Sequence, residues 1–441
     1  MGKIILFFFC FLQIFPIMGQ DDFQFIKKKN RVSFSFQLVN NLVLVPLKIN
    51  GVELTFLLDS GVAQTIVFSI DDQNDFEFKN TQKVLLKGFG SDYTVPGLKS
   101  TDNILEVKGM ISRSHLLYIV LGEEFNFSEH LGVPVNGIMG YTFLKNNLVE
   151  INYSRHRITV YDDNNRNRKK IEAKFSKVPL SIEKNKPYLI GNVKLNGSVD
   201  SLKLLVDIGN SDSIWLFENE KVAIPNKNFE DYLGKGFSGD VFGKRAQIDE
   251  FRLLDFKFSN PIVAFPDSSS IKFLKFIPER MGSVGGEILK RFTVIMDYKN
   301  RAMYLKPNKM FKNPFLYNKS GLEIIHAGMK LVNIEDTRKS LLLKTATVFN
   351  LNVKNTSSNF KYKFELKPIY KIASVRLNST AEKSGILKGD IIVSINKHTA
   401  ESYSYQEIYA ILKSENEKYI TIEVIRNGKR HQFKFKLIDI L

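Results

Sequence analysis

Short apolar runs broken by Gly, Asn and Asp dominate the chain from residue 23 to residue 160. Examples are LVLV at 42–45, IVF at 66–68 and ITVY at 158–161. Runs of this length, rich in β-branched and bulky side chains, are typical of strands, and long stretches with helical spacing are few. The pattern stops at a polar stretch that begins at residue 162 and returns between residues 180 and 305. The sequence therefore predicts two β lobes, 23–161 and 173–308, joined by a linker at 162–172.

A different pattern begins near residue 321, after a stretch that breaks the strand signal at 307–319. Strand-like runs at 370–375, 391–395 and 419–425 alternate with two short helical segments, 381–384 and 406–412. An Asn-Gly turn at 427–428 predicts a closing hairpin. We expect a separate C-terminal domain, 321–441, with an inserted segment rich in Asn, Thr and Lys around 340–362.

The two β lobes share a series of landmarks. The run LTFLLDSG at 54–61 is repeated as LKLLVDIG at 202–209, and GIMG at 137–140 as GSVG at 282–285. The run KING at 48–51 is echoed by KLNG at 194–197, and GF at 88–89 by GF at 236–237. All these landmarks keep one order, with offsets of 145 to 148 residues. Self-similarity in one order and at one period predicts a duplicated domain.

Each copy carries one acid, Asp59 or Asp207, at the exit of an apolar run. A carboxylate in that position is costly unless it is hydrogen-bonded or used in chemistry. The glycine two residues later allows a tight bend or a close approach of the backbone. These two acids are the candidate catalytic residues.

The duplicated half resembles aspartic peptidases of the pepsin and retropepsin kind. The resemblance rests on Asp-Ser-Gly at 59–61, Ile-Met-Gly at 138–140, Asp-Ile-Gly at 207–209 and Val-Gly at 284–285. It is strongest to secreted bacterial members with a C-terminal PDZ domain, and it implies two β-barrel lobes around a cleft. It also implies active-site support from Ser60, Gly61, Ile208, Gly209, Gly140 and Gly285.

In such peptidases one water lies between two carboxylates, which share a proton and titrate as a pair. One carboxylate takes the proton of the water, and the other polarises the scissile carbonyl. The resemblance therefore implies an endopeptidase that acts on peptides or unfolded proteins. Because Asp59 and Asp207 belong to one chain, a monomer suffices.

The second lobe departs from the family pattern at Ile208, where a Thr or Ser hydroxyl normally bonds across to the other lobe. Ser60 keeps the hydroxyl in the first lobe, whereas Ile208 has none. The alternative reading is therefore a catalytically inactive, peptide-binding envelope protein with the same bilobal fold.

Glycine-rich turns follow each acid, GFGSDY at 88–93 and GFSGD at 236–240. They predict flaps over the cleft, although plain hairpin tips without substrate contact are an equal alternative. The candidate flap residues are Phe89, Asp92, Tyr93, Phe237 and Asp240.

The segment 379–396, STAEKSGILKGDIIVSIN, is similar to PDZ domains, which implies a β-sandwich with two short helices. A PDZ domain binds an extended peptide or a C-terminus by adding it to a sheet edge. We expect the groove between the strand at 368–372 and the helix at 406–412. Its candidate residues are Pro368, Ile369, Ile372, Ile408 and Leu412, and the alternative is a structural cap that binds nothing.

Composition adds a cellular context. One lysine, an apolar run at 4–18 and a small residue at 19 predict a cleaved signal peptide, 1–19, although a membrane anchor is the alternative. The single cysteine, Cys10, lies inside it, so the exported chain, periplasmic or extracellular, would have no disulfide.

The net charge of +17 is spread along the chain without a nucleic-acid-binding motif. The six histidines show no metal spacing, and no phosphate loop occurs, so no cofactor or metal is expected.

Overall fold

The computed structural model describes residues 22–68, 77–86, 95–121, 127–236, 239–271, 277–334 and 363–441. The predicted signal peptide and the predicted insertion at 340–362 lie outside these ranges. So do four of the flap candidates: Phe89, Asp92, Tyr93 and Phe237.

The first lobe contains twelve strands in the described residues. They are β1 (Gln24–Phe25), β2 (Arg31–Ser35), β3 (Gln37–Val39), β4 (Leu42–Ile49), β5 (Val52–Leu58), β6 (Thr65–Val67), β7 (Thr81–Leu86), β8 (Val95–Val107), β9 (Met110–Val120), β10 (Gly137–Met139), β11 (Leu148–Asn152) and β12 (Arg157–Tyr161). Two short helices, α1 (Ser128–Leu131) and α2 (Tyr141–Leu144), and a 3₁₀ turn at Tyr153–Arg155 complete it.

The second lobe follows helix α3 (Asn165–Glu172). Its strands are β13 (Ser176–Pro179), β14 (Ser181–Glu183), β15 (Lys186–Leu195), β16 (Ser198–Val206), β17 (Ile214–Leu216), β18 (Asn228–Gly236), β19 (Gly239–Gln247), β20 (Glu250–Leu253), β21 (Phe256–Ser259), β22 (Ile262–Pro266), β23 (Arg280–Val284), β24 (Phe292–Asp297) and β25 (Ala302–Pro307). Helices α4 (Ser268–Ile271) and α5 (Gly286–Leu289) lie between them.

The sheet topology repeats between the lobes. In the first lobe β5 pairs in parallel with β10, which also pairs antiparallel with β6. In the second lobe β16 pairs in parallel with β23, which also pairs antiparallel with β17. The predicted mainly β chain with two duplicated lobes is confirmed.

A six-stranded sheet joins the lobes, in the order β13-β25-β24-β11-β12-β2. Its central pair, β11 with β24, brings one strand from each lobe together. One apolar core runs through both lobes, from Phe56 in the first to Val206 and Val294 in the second. Because burial of a large apolar side chain contributes about 1.5–3 kcal/mol, this shared core holds the lobes in a fixed relation.

Most of the predicted linker at 162–172 is helix α3. Asn164 caps the helix by accepting a hydrogen bond from the backbone N–H of Asn167 (2.9 Å). Ile171 is buried, and Arg168 pairs with Asp297 of the joining sheet (2.8 Å). Tertiary contacts therefore stabilise helix α3, in which Ile171 is the one buried apolar side chain.

The C-terminal domain has its own core and its own sheet. The strands are β26 (Leu322–Ile334), β27 (Lys363–Val375), β28 (Ile391–Ile395), β29 (His398–Thr399), β30 (Tyr419–Arg426) and β31 (Lys429–Lys436). The sheet order is β26-β27-β28-β30-β31, with β29 on β28. Helices α6 (Thr380–Lys383) and α7 (Tyr405–Leu412) and a 3₁₀ turn at Ala400–Ser402 pack on it.

Candidate active site

Asp59 and Asp207 each directly follow the last residue of a strand, β5 or β16. The backbone N–H of Asp59 donates to Met139 O, and that of Asp207 donates to Val284 O, both at 2.9 Å. The same bond to the parallel neighbour therefore fixes each acid in its lobe.

The two carboxyl groups meet and are hydrogen-bonded to each other. A Cβ placed on Gly61 would lie 3.1 Å from Oδ1 of Asp59 and 3.3 Å from Oδ1 of Asp207. A Cβ on Gly209 would overlap the Asp59 carboxyl group. The glycine beside each acid thus leaves the space that the opposite carboxyl group fills.

The electrostatic surroundings of the two acids differ. Burial, and then the charge of Asp207, raises the pKa of Asp59 to about 7. Burial also raises the pKa of Asp207, but the cations Arg280 and Lys186 act against this rise. An ionised carboxylate is stabilised by nearby cations, so the shared proton resides on Asp59 and the negative charge on Asp207.

Ser60 joins the loop that carries Asp59 to the second lobe. Its hydroxyl donates to Val206 O (2.6 Å) and accepts from the N–H of Ile208 (3.0 Å). Both bonds are buried, and both flank Asp207 in the sequence. One Ser side chain therefore braces the backbone on each side of the opposite acid.

Ile208 makes no reciprocal hydroxyl bond and instead lies fully buried in the core that the lobes share. The second lobe contributes a longer contact, from the hydroxyl of Tyr298 to Ser60 O (3.5 Å). The side chain of Ile208 thus provides packing where Ser60 provides hydrogen bonds.

Asn41, which the sequence did not single out, makes a second brace between the lobes. Its amide donates to Ser211 O (2.7 Å) and to the carboxylate of Glu287 (3.0 Å), and its oxygen accepts from Lys290 Nζ (2.9 Å). Ser211 lies four residues after Asp207. Asn41 therefore anchors the loop after Asp207 from the first lobe, and the only sequence signal was a repeated turn, NN at 40–41 and KN at 184–185.

An ion network forms one wall of the cleft beside this loop. Arg245 donates to Asp212 and to Asp231, both at 2.8 Å, and the indole N–H of Trp215 donates to Asp212 (2.7 Å). The network joins the loop after Asp207 to the hairpin β18–β19. Charge-assisted bonds of this kind are stronger than neutral ones and hold the wall rigid.

The hairpin β18–β19 carries the second predicted flap. Tyr232, Leu233, Val241 and Phe242 of this hairpin line the cleft that contains the dyad. Asp240, the one flap candidate among the described residues, is exposed and accepts a hydrogen bond from the hydroxyl of Tyr232 (3.3 Å). Its contact with a substrate stays a prediction.

The predicted groove strand of the C-terminal domain is wrong. Pro368, Ile369 and Ile372 lie in β27, an inner strand that pairs with β26 on one side and β28 on the other. Ile372, Ile408 and Leu412 are fully buried core residues. The strand at the end of the sheet order, next to helix α7, is β26. The sequence did not reveal its pairing with β27, because a long segment separates the two strands.

Comparisons with known proteins give one family match and structural similarities. Residues 371–426 match the family model described as PDZ domain. The chain is similar to the crystal structure of an aspartic proteinase from Irpex lacteus, with 10% sequence identity, 64% of this chain and 99% of that chain covered, and a TM-score of 0.43. No curated protein matches the sequence. Among the described residues, no helix has the length and apolar character needed to cross a membrane.

Proposed function

We propose that this chain is an exported bacterial aspartic endopeptidase that hydrolyses peptide bonds with a water activated between Asp59 and Asp207. The observation that carries the proposal is the hydrogen-bonded pair of carboxyl groups, one from each lobe, in a cleft. The chain needs no partner copy to assemble the pair, so it acts as a monomer. Its PDZ domain contributes to peptide binding.

The asymmetry of the pair assigns the roles. Ionised Asp207 accepts a proton from the water, whose oxygen attacks the scissile carbonyl carbon, while protonated Asp59 donates its proton to the carbonyl oxygen. The tetrahedral intermediate then collapses, the C–N bond breaks, and the amine leaves with the proton held by Asp207. As the carbonyl re-forms, one hydroxyl of the intermediate gives its proton to Asp59, which restores protonated Asp59 and ionised Asp207.

The test compares Asp59→Asn and Asp207→Asn with the parent chain on an unfolded protein between acid and neutral pH. Each change should reduce cleavage by at least about a thousandfold, because either one removes a proton-transfer group. Asp255→Asn, in an exposed turn of the second lobe, is the matched control and should cleave normally. Activity that survives both single changes would exclude the mechanism.

A second candidate, an inactive peptide-binding protein, is favoured by one observation, the apolar side chain at Ile208. A parent chain that retains unfolded peptides uncut across the pH range, and is unaffected by a tetrahedral-hydroxyl inhibitor, would support it. Inhibition of cleavage by such a mimic would support the enzyme.

A further inference from the structure

The cavity that contains the dyad extends well beyond it. Its volume is about 1630 Å³, whereas small-molecule sites occupy roughly 300–1,000 Å³. Its lining comes from both lobes, from the connector at 313–319 and from the C-terminal domain. A single continuous space of this size fits an extended polypeptide better than a compact ligand.

Part of the lining of this cavity is apolar and exposed. Four large apolar side chains line it, from three segments distant in sequence. They are Leu316 (51% exposed), Leu377 (71%), Ile438 (41%) and Ile440 (39%), called the distal patch below. Exposed apolar side chains that line one cavity are typical of an interaction site.

The distal patch is held in place before any ligand binds. The hydroxyl of Tyr317 donates to Asp439 (2.8 Å) and accepts from the N–H of Ile440 (2.6 Å), which joins the connector to the C-terminal tail. The N–H of Arg376 donates to Gly321 O (2.8 Å), which fixes the turn that carries Leu377. Because its segments are already ordered, binding there would cost little conformational entropy.

The C-terminal domain is also fixed relative to the dyad. Gln406 donates to Leu38 O of the first lobe (3.1 Å). Arg376 lies over the ring of Phe229 in the second lobe (4.2 Å) and 3.7 Å from Asp231. The distal patch therefore stands at a set position along the cleft.

The groove between β26 and α7 is closed by the domain itself. The hydroxyl of Tyr405 donates to Ile324 O (2.9 Å), and that of Tyr409 donates to the carboxylate of Glu323 (3.2 Å). Helix α1 of the first lobe packs on β26, and Gly132, just after it, lies against Tyr405. A peptide cannot add to this part of β26 without displacing these groups, whereas the side chains of the distal patch are exposed.

We propose that the distal patch binds an apolar segment of the same extended polypeptide whose scissile bond lies at Asp59 and Asp207. The substrate class is thus an unfolded polypeptide with a cluster of large apolar side chains at a set spacing from the cleaved bond. The inference rests on the proposed function, and its test reads binding as well as cleavage.

The experiment uses the full chain carrying Asp59→Asn, so that bound peptides stay intact. Two long fluorescent peptides share one sequence from an unfolded protein, except that the Leu and Phe residues of one half are Ser in the second peptide. Leu377→Ser with Ile440→Ser should weaken binding of the apolar peptide about tenfold and leave the Ser-substituted peptide unchanged, measured by anisotropy. Leu316→Ser is the second variant, and Ile190→Ser, 60% exposed on β15 and outside the cavity, is the control.

In the active chain, the patch variants should raise KM for long apolar substrates and leave short peptides unaffected. Equal binding of both peptides by the parent chain and by the patch variants would overturn the inference. So would sedimentation showing that a second copy covers the distal patch, or evidence that another segment of this chain covers it. The parent chain could bind the apolar peptide, lose this binding in the patch variants, and yet never cleave a substrate. That result would exclude the proposed enzyme activity and support the distal patch as a binding site. Thermal unfolding of each variant checks that the fold is kept.

Discussion

Two cations distinguish the carboxyl groups that face each other in the cleft. Lys186 and Arg280 both lower the pKa of Asp207, and Lys186 also lowers that of Asp59. Lys186 begins β15, the antiparallel neighbour of the strand that ends before Asp207. A cation at this position favours the singly ionised pair, which is the form that the mechanism needs.

Lys186→Met should therefore shift the pH profile of kcat/KM to higher pH. Without the cation, the pair loses its first proton at a higher pH, so the acidic limb of the profile moves to higher pH. Loss of the second proton, governed by Asp59 with a pKa of about 7, moves in the same direction. We expect both limbs to shift by about half a unit to one unit.

The exposed neighbour Lys184 provides the matched control for this measurement. Lys184→Met should leave both limbs in place. A Lys186→Met profile that narrows, or that moves to lower pH, would contradict the assigned charge distribution.

At the scale of single residues, the sequence predicted the site residues that lie inside a repeated motif and missed those outside it. Asp59, Asp207 and Ser60 stand in two copies of one pattern, so the duplication pointed to them. Lys186 and Arg280 belong to no motif. Strand pairing in the second lobe brings them near the dyad. Tertiary proximity of this kind leaves no local trace in the chain.

At the scale of elements, tight turns between strands decide how the lobes meet. The turn before β4 and the turn before β15 are repeat equivalents, and Asn41 and Asn185 both adopt positive φ, 68° and 66°. Within the part of the chain that the structure describes, only the first turn bonds to the opposite lobe, from Asn41 to Ser211 O. The duplication thus kept the backbone of the turn but gave one copy a bracing role.

Asn41→Ala should lower the free energy of unfolding by about 2 kcal/mol, since it removes hydrogen bonds between the lobes and places Ala at positive φ. Asn185→Ala isolates the second effect, because its side chain is exposed, and should cost about 1 kcal/mol or less. Urea unfolding of both variants gives the difference. Equal losses would mean that the bonds made by Asn41 contribute nothing to stability.

Elements with a clear period were predictable, and elements set by distant pairing were not. The acid-bearing strands and the helix at 405–412 follow from apolar spacing. Helix α3 has one buried anchor, Ile171, so its sequence resembled a solvated linker. The groove strand was misassigned because β26 and β27 pair across a long intervening segment, and no local pattern reveals which strand ends a sheet.

At the scale of the whole molecule, the docked C-terminal domain places a carboxyl group where it is costly to ionise. Burial, and then the nearby charge of Asp231, raises the pKa of Glu323 to about 8, while Tyr409, Arg245 and Lys413 act in the opposite direction. The folded chain therefore binds more protons than the unfolded chain between about pH 4.5 and 8. Stability falls as pH rises through this window.

Glu323→Gln should remove that pH dependence, because the amide stays neutral and its oxygen still accepts from Tyr409. The rise in the pKa of Glu323 corresponds to at most about 4–5 kcal/mol, and partial solvent access reduces the expected gain at pH 8.5 to roughly 1–2 kcal/mol. At pH 5 the variant and the parent should unfold at nearly the same urea concentration. Glu423→Gln, on β30 and paired with Arg430 at the surface, is the control in the same domain. A gain of equal size at both pH values would show that packing, rather than ionisation, governs how this domain is held over the cleft.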